Sequence, residues 1–180
     1  MVAKLGKRGF VIPAQRCPSC NAERFTVRGE IRKIPHFGET LLTLASCSSC
    51  GFRHSDVMSL VERKPTRYEF EISSSDDMKV RVIKSSTGII KIPSLGVTIK
   101  PGPAGEGFIS NIEGVLKRVE RAIKLAMQNA TEEQIKRGSS RLEKLQKVLN
   151  GQLRAKIIVI DPSGNSAIID ERAKKQELRS

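Results

Sequence analysis

The sequence predicts a mainly β protein with an α component: a four-cysteine zinc ribbon, then a sandwich or jelly-roll β domain interrupted by a helical hairpin. Three observations predict it. All four cysteines of the chain fall into two C-x-x-C pairs, Cys17 with Cys20 and Cys47 with Cys50. Residues 63–108 break into short alternating segments divided by Pro, Ser and Gly turns, as in sandwiches and jelly rolls rather than in a strand–helix alternation. Between about residues 109 and 150 the apolar period changes to that of a helix, twice, before a strand pattern resumes.

The cysteines carry the most specific chemistry. Zinc prefers four soft or borderline ligands, and each C-x-x-C turn offers two thiolates from one side of the ion. The 26 residues between the pairs exceed the common ribbon spacing, yet they are enough for a hairpin that returns the second pair to the first. Asn21 and Gly51 follow the two pairs, and both residue types accept the left-handed conformation that turns backbone N–H groups toward a thiolate. Two disulfides and a redox pair are the competing readings. Disulfides need an oxidising compartment, and residues 1–9 contain no apolar stretch of secretory length. A thioredoxin-like reading needs one C-x-x-C opening a helix in a βαβ unit, whereas two occur here in turn-like sequence. Four thiolates complete the coordination sphere, so His36 and His54 are not needed as ligands.

Around the knuckles, residues 25–31 and 39–46 read as strands. Pro35 and Gly38 make the segment between them a turn. Residues 1–62 are therefore assigned to the ribbon. Residues 63–170 form the β domain. Thr66 to Ile72 alternates polar and apolar side chains, the pattern of a half-buried strand, and residues 79–84, 88–93 and 97–99 supply further strands. Residues 101–107, rich in Pro and Gly, are a loop. They lack the G-x-x-x-x-G-K-[ST] pattern of a phosphate cradle. A first helix is predicted from Ile112, Val115, Leu116, Val119 and Ile123, with Ser110 and Glu113 as a capping box. A second opens at Thr131 with Gln134 and carries Leu142, Leu145, Val148 and Leu149 on one face. Asn150 and Gly151 stop it. Residues 155–160 read as a buried strand, 161–165 as a tight turn in which Asp161 and Asn165 serve the backbone, and 166–169 as a returning strand. The hairpin is thus expected to be an insertion into one β domain. Residues 171–180 are a charged tail, frayed or forming a short solvated helix.

Composition narrows the function classes. Net charge is +13, which favours polyanions or acidic protein surfaces as partners. The excess is spread along the chain, with 11 basic and 5 acidic side chains in residues 1–64 and 21 and 14 in residues 65–180. Aromatic residues are scarce at 4%, so no base-stacking platform is visible. No run approaches the apolar length of a membrane span, and a cytoplasmic, non-membrane protein is expected. Both histidines lie in the ribbon, so residues 63–180 offer no histidine for a cupin-like metal site, and no nucleophile–base–orienter set is discernible. A non-enzyme is expected.

Several segments together resemble a known family. Residues 34–39, Ile-Pro-His-Phe-Gly-Glu, leading to Cys47-Ser48-Ser49-Cys50-Gly51-Phe52-Arg53, resemble the ZPR-type zinc finger. Ile92-Pro93 and the Pro/Gly loop, then Phe108-Ile109-Ser110-Asn111-Ile112-Glu113-Gly114-Val115-Leu116, resemble the stretch that opens that family's helical hairpin. Asp161-Pro162-Ser163-Gly164-Asn165-Ser166 resembles its closing turn. The matches run through nearly the whole chain in order. The resemblance implies a ribbon of the kind found in a translation initiation factor, joined to a double-stranded β-helix (jelly-roll-like) domain with a helical-hairpin insertion. It also implies binding to translation elongation factor 1-alpha and a role in that factor's folding or maturation. Eukaryotic members carry two such modules in tandem; one set of cysteines and one hairpin are similar to the single-module form associated with archaea.

The expected site therefore has two parts. Cys17, Cys20, Cys47 and Cys50 bind Zn2+, which shapes a surface. At the ribbon turn, Pro35, His36 and Phe37 beside Arg32 and Lys33 form a candidate anchor for an acidic partner; equally, Phe37 packs into the junction with the β domain. Arg53, His54 and Asp56 follow the second knuckle and face either a partner or the neighbouring domain. The alternative function is a nucleic-acid or ribosome-binding zinc-ribbon protein, which predicts steeply salt-dependent RNA binding.

Overall fold

The computed structural model describes residues 3–4, 8–34, 38–101 and 106–178. The N-terminal sheet holds five antiparallel strands in chain order: β1 (Ala3–Lys4), β2 (Gly9–Gln15), β3 (Phe25–Ile34), β4 (Gly38–Cys47) and β5 (Arg53–Ser59). β3 and β4 pair from Phe25 opposite Cys47 to Ile34 opposite Gly38. The hairpin therefore has cysteine at one end and its turn at the other. Residues 35–37 of that turn, including His36 and Phe37, lie outside the described residues, as do residues 102–105 of the Pro/Gly loop.

β2 is not among the strands the sequence predicts, because Pro13 interrupts its alternation. The sheet absorbs the interruption with a register shift between Ile12 and Gln15, where Ala14 sits at φ 54°. Gly29 explains how β2 packs. A Cβ there would meet the Phe10 ring at 2.2 Å, so only glycine lets that ring lie across the strand.

The second part contains β6 (Thr66–Ile72), β7 (Arg81–Lys84), β8 (Ile89–Ile92), β9 (Val97–Ile99), β10 (Phe108–Asn111), β11 (Ala155–Asp161), β12 (Ala167–Ile169) and β13 (Lys174–Glu177). Two antiparallel sheets result, one ordered β13-β6-β11-β8-β9 and the other β10-β7-β12. Helices α1 (Ile112–Met127) and α2 (Glu132–Leu149) are inserted between β10 and β11. This is a jelly-roll domain carrying a helical hairpin. Phe70, Ile72, Ile90, Ile157 and Val159 of the larger sheet meet Val82 and Ile168 of the smaller one, and Val115, Leu116, Leu145 and Val148 of the hairpin join the same core. A smaller cluster of Ile34, Val57, Ile83 and Ala167 links the ribbon to this domain.

Local signals and tertiary context disagree at three places. Ser110 does not cap α1. β10 pairs with β7 as far as Asn111 opposite Arg81, which holds Ser110 extended, and Asn111 becomes the N-cap by accepting from the Gly114 N–H at 2.8 Å. The box at Thr131 forms as predicted, with Thr131 and Gln134 bonding reciprocally. Residues 167–169 do not return along β11. They cross to the other sheet and pair with β7, Ile168 opposite Val82. Finally, Lys174–Glu177 is neither frayed nor helical but an edge strand paired with β6, from Lys174 opposite Glu69 to Glu177 opposite Thr66.

An ion-pair cluster fixes that last strand. Asp77, 1% exposed, lies in a short 3-10 turn over Ser75–Lys79 and accepts from the Arg172 guanidinium at 2.7 Å and from the Ser73 and Ser74 N–H groups at 2.8 and 3.0 Å. Burial pushes its carboxyl up, but the Ser73 N–H, Arg172 and the Ser74 N–H outweigh it and bring the pKa to about 2. An unfolded aspartate titrates near 3.9, so the contribution is fully present above about pH 4 and disappears as pH falls through about 2. The stability difference between wild type and Asp77→Asn in urea should therefore be constant from pH 7 to 5 and shrink below pH 4. A difference independent of pH down to 2 would contradict this.

Candidate metal centre and the junction behind it

Two turns built alike present the four cysteines. In the first, Asn21 N–H donates to Cys17 O at 2.9 Å, Cys17 N–H to Ala22 O at 3.0 Å, and Ser19 N–H to Cys17 Sγ at 3.4 Å. In the second, Gly51 N–H donates to Cys47 O at 3.1 Å, Cys47 N–H to Phe52 O at 2.9 Å, and Ser49 N–H to Cys47 Sγ at 3.4 Å. Asn21 and Gly51 both have positive φ, 61° and 74°, as these turns require. Pairing of Phe25 with Cys47 then sets one turn against the other. Phe25 and Phe52, one beyond each knuckle, meet beside them with ring centroids 6.0 Å apart.

All four Sγ atoms lie within 4.8 Å of one another, with Cys17–Cys50 and Cys20–Cys47 at 3.7 Å. A tetrahedron with Zn–S bonds of about 2.3 Å has edges of about 3.8 Å, so the donor set fits one zinc ion. A disulfide needs about 2.05 Å between sulfurs, and all four thiols are free. Cys17 and Cys47 are buried while Cys20 and Cys50 are exposed. No histidine joins the cluster among the described residues; His54 is half-buried on β5, opposite Ala45.

The sulfurs compete for negative charge. The Cys50 backbone N–H, aided by that of Ser49, lowers the Cys47 thiol to about 7 against the effect of burial. The Ala22 N–H also pulls Cys20 down, yet Cys50, burial and the other two thiols raise it to about 11. A dication balances the charge that four crowded thiolates share, and its binding displaces their protons.

The remaining candidate residues do not converge. Arg32 is exposed on β3 and paired with Glu30 at 2.9 Å, and the carboxylate's hydrogen bonding raises its pKa. Lys33, its neighbour, is exposed. Arg53 is exposed at the metal end. Along β4, Arg32 lies opposite Thr40, whereas Arg53 is level with Ser46. At about 3.3 Å per residue, this separates them by about 20 Å.

Asp56, read as facing a partner or the neighbouring domain, and Asn165, read as a turn former, prove to belong to the junction, while Asp161 serves its own turn as expected, accepting from the Ser163 N–H at 2.9 Å. Asp56 accepts at Oδ1 from the Ser86 N–H and at Oδ2 from the Ser86 hydroxyl, both at 2.8 Å, so it faces the β domain. Ser55 exchanges two bonds of 2.7 Å with Gly107, its carbonyl accepting and its hydroxyl donating. Asn165 Oδ1 accepts from the Ser59 N–H at 2.9 Å across the two parts of the chain. Gly164, at φ 68°, passes so close to Lys64 that a Cβ would meet its carbonyl oxygen at 2.3 Å. Behind them, Asp161 is fully buried and accepts at Oδ2 from Ser85 and Ser166, and at Oδ1 from Thr87 and Ser163, over 2.6–2.8 Å. Burial disfavours the carboxylate, but these four hydroxyls hold it below its usual range. The D-P-S-G-N-S run was legible as a turn; nothing in its spacing said which distant segments it would join.

Comparisons with known proteins agree with both halves. Residues 11–64 match the ZPR1 zinc-finger domain and residues 76–179 the ZPR1 jelly-roll domain. A ZPR1-like protein of Methanocaldococcus jannaschii is 43% identical over 164 residues, covering 90% of this chain and 83% of that protein. One of Pyrococcus horikoshii is 38% identical over 167 residues, covering 90% and 75%. The zinc finger chaperone zpr1 of Schizosaccharomyces pombe is 29% identical over 157 residues; the match covers 83% of this chain but 34% of the yeast protein.

Proposed function

The chain belongs to the ZPR1 zinc-finger family in its single-module form, and from that premise we propose that it is a non-catalytic, cytoplasmic interaction protein that holds translation elongation factor 1-alpha during folding or maturation. The observation that supports this most is the metal centre's fit to four thiolates. Such a site has no open position for water or substrate, so zinc acts on shape. The name of the fission-yeast relative, a zinc finger chaperone, supports a folding role. The elongation factor follows from the family resemblance carried by residues 34–53, 92–116 and 161–166.

In this reading Cys17, Cys20, Cys47 and Cys50 are the zinc ligands. Arg32 and Lys33 at the turn end of the hairpin, with Arg53 at the metal end, contact the partner, as do His36 and Phe37. The roughly 20 Å between the two groups suits a broad protein surface better than a small ligand. Pull-down from native extract should recover the elongation factor, and the purified factor should bind directly. Failure of both removes the assignment. The +13 charge favours a second reading, binding to RNA or the ribosome. Under it, affinity for RNA falls steeply with salt, linearly in the logarithms. A salt titration against RNA separates the two readings.

A further inference from the structure

A groove of about 850 Å³ opens between β9 and the helical hairpin, and none of the cysteines lines it. Val97, Ile99, Phe108, Val119 and Ile123 give it an apolar floor. Its rim is cationic. Arg118 stacks on the Phe108 ring, its guanidinium carbon 4.5 Å from the centroid, and Lys100 and Arg141 stand at the edges. None of these three cations is paired with a carboxylate among the described residues, and Glu106 is the one acidic side chain among the described lining residues. Lys84, only 3% exposed, adds a further positive charge at the base, where it donates to the Ser85 and Glu106 carbonyls at 3.1 Å.

The wall of the groove is also a sheet edge. β9 is the last strand of its sheet and pairs on one side only, with Ile90 opposite Ile99 and Ile92 opposite Val97. Among the described residues, nothing hydrogen-bonds its outer side. An unpaired strand edge is a template for another strand, and strand addition takes affinity from main-chain bonds and selectivity from alternate side chains.

We propose that the groove receives an extended, acidic segment of a partner protein, which adds as a strand to β9 while its carboxylates meet Lys100, Arg118 and Arg141. Alternation sets the chemistry of that segment: apolar side chains on one face for the floor, and Asp or Glu on the other for the rim. A second copy of this chain, itself +13, carries the wrong charge to be the occupant. The proposal goes beyond the elongation-factor reading, since it stands on the groove whichever protein carries the segment.

The test uses the full, zinc-loaded chain and a fluorescein-labelled peptide of alternating Glu and Val, about eight residues long, with binding read by anisotropy. Three controls go with it: the peptide N-methylated at alternate residues in either register, a Lys–Val counterpart, and single-stranded RNA as competitor. The acidic peptide should bind, and at least one N-methylated register should bind about tenfold more weakly or worse. Lys–Val should not bind. Arg118→Glu and Arg141→Glu, both at exposed positions, should each weaken binding by about tenfold. Arg141→Glu should leave the melting temperature unmoved, while Arg118→Glu, which loses its stack on Phe108, should lower it slightly. Equal binding of the parent peptide and both N-methylated forms would exclude strand addition and overturn the proposal. So would binding unchanged in the Arg118→Glu/Arg141→Glu double variant. Displacement of the peptide by RNA with the same arginine dependence would assign the groove to nucleic acid and overturn it too.

Discussion

Replacing Cys17 or Cys47 by serine is expected to abolish stoichiometric zinc binding and unfold the ribbon while most of the jelly roll persists. Structural zinc sites contribute about 10–16 kcal/mol of apparent binding free energy at neutral pH, and in small modules this is folding free energy. The ribbon has few alternatives. Cys17 and Cys47 are its buried sulfurs, and among the described residues its other buried apolar side chains are Ile34, Ala45 and Val57, of which Ile34 and Val57 lie at the junction. The jelly roll has an independent core around Phe70, Ile90, Ile157 and Leu116, so the metal-free variant should keep a single melting transition, that of the jelly roll, with the ribbon's share of the unfolding signal lost. Zinc content by mass spectrometry and amide exchange resolved along the chain make the measurement. A variant with full zinc content and an unchanged melt would refute the assignment of the site. Cys20 and Cys50 are exposed, and serine there should loosen the metal with less damage to packing.

Asp161→Ala should cost about 3–5 kcal/mol, through what it leaves behind. Ser85 and Ser166 are themselves buried, and their hydroxyls would lose the acceptor they share. Lys84 would lose a compensating charge. Burial already lowers its pKa, with Asp161 first among the acidic groups that oppose the shift. The Asp161 carboxylate also ties the segment after β11 to the loop after β7, and that loop carries Ser86, the partner of Asp56 in the ribbon. Unfolding in denaturant gives the loss directly. A double-mutant cycle with Lys84→Met tests the cause, since removing the stranded charge should make the pair less than additive. A loss below about 1 kcal/mol would show that the cluster is replaceable by water.

How far the chain could be read in advance depended on the range of each interaction. The metal site was legible because its chemistry is packed into four-residue motifs, and a cysteine's usefulness to zinc does not depend on its distant neighbours. α2 was legible because Thr131 and Gln134 cap it locally. The start of α1 was not, because pairing of Asn111 with Arg81 overruled a local capping signal at Ser110. The same holds for the last strand. Lys174–Glu177 is all polar and reads as solvent-exposed, and only β6, more than a hundred residues earlier, makes it part of a sheet.

The amino-acid order alone thus settled the zinc ligand types, the two helices, most of the strands and the insertion of the hairpin into one β domain. Each of these follows from spacing within a turn, or from a period of 2 or 3.6 residues. Tertiary structure decided which strands share a sheet, that Asp56 and Asn165 join the ribbon to the jelly roll, and that the unpaired edge of β9 lies under a cationic rim. Those features arise only when segments distant in the chain compete for the same backbone partners and charges. The competition is resolved by burial and register, which no local pattern records.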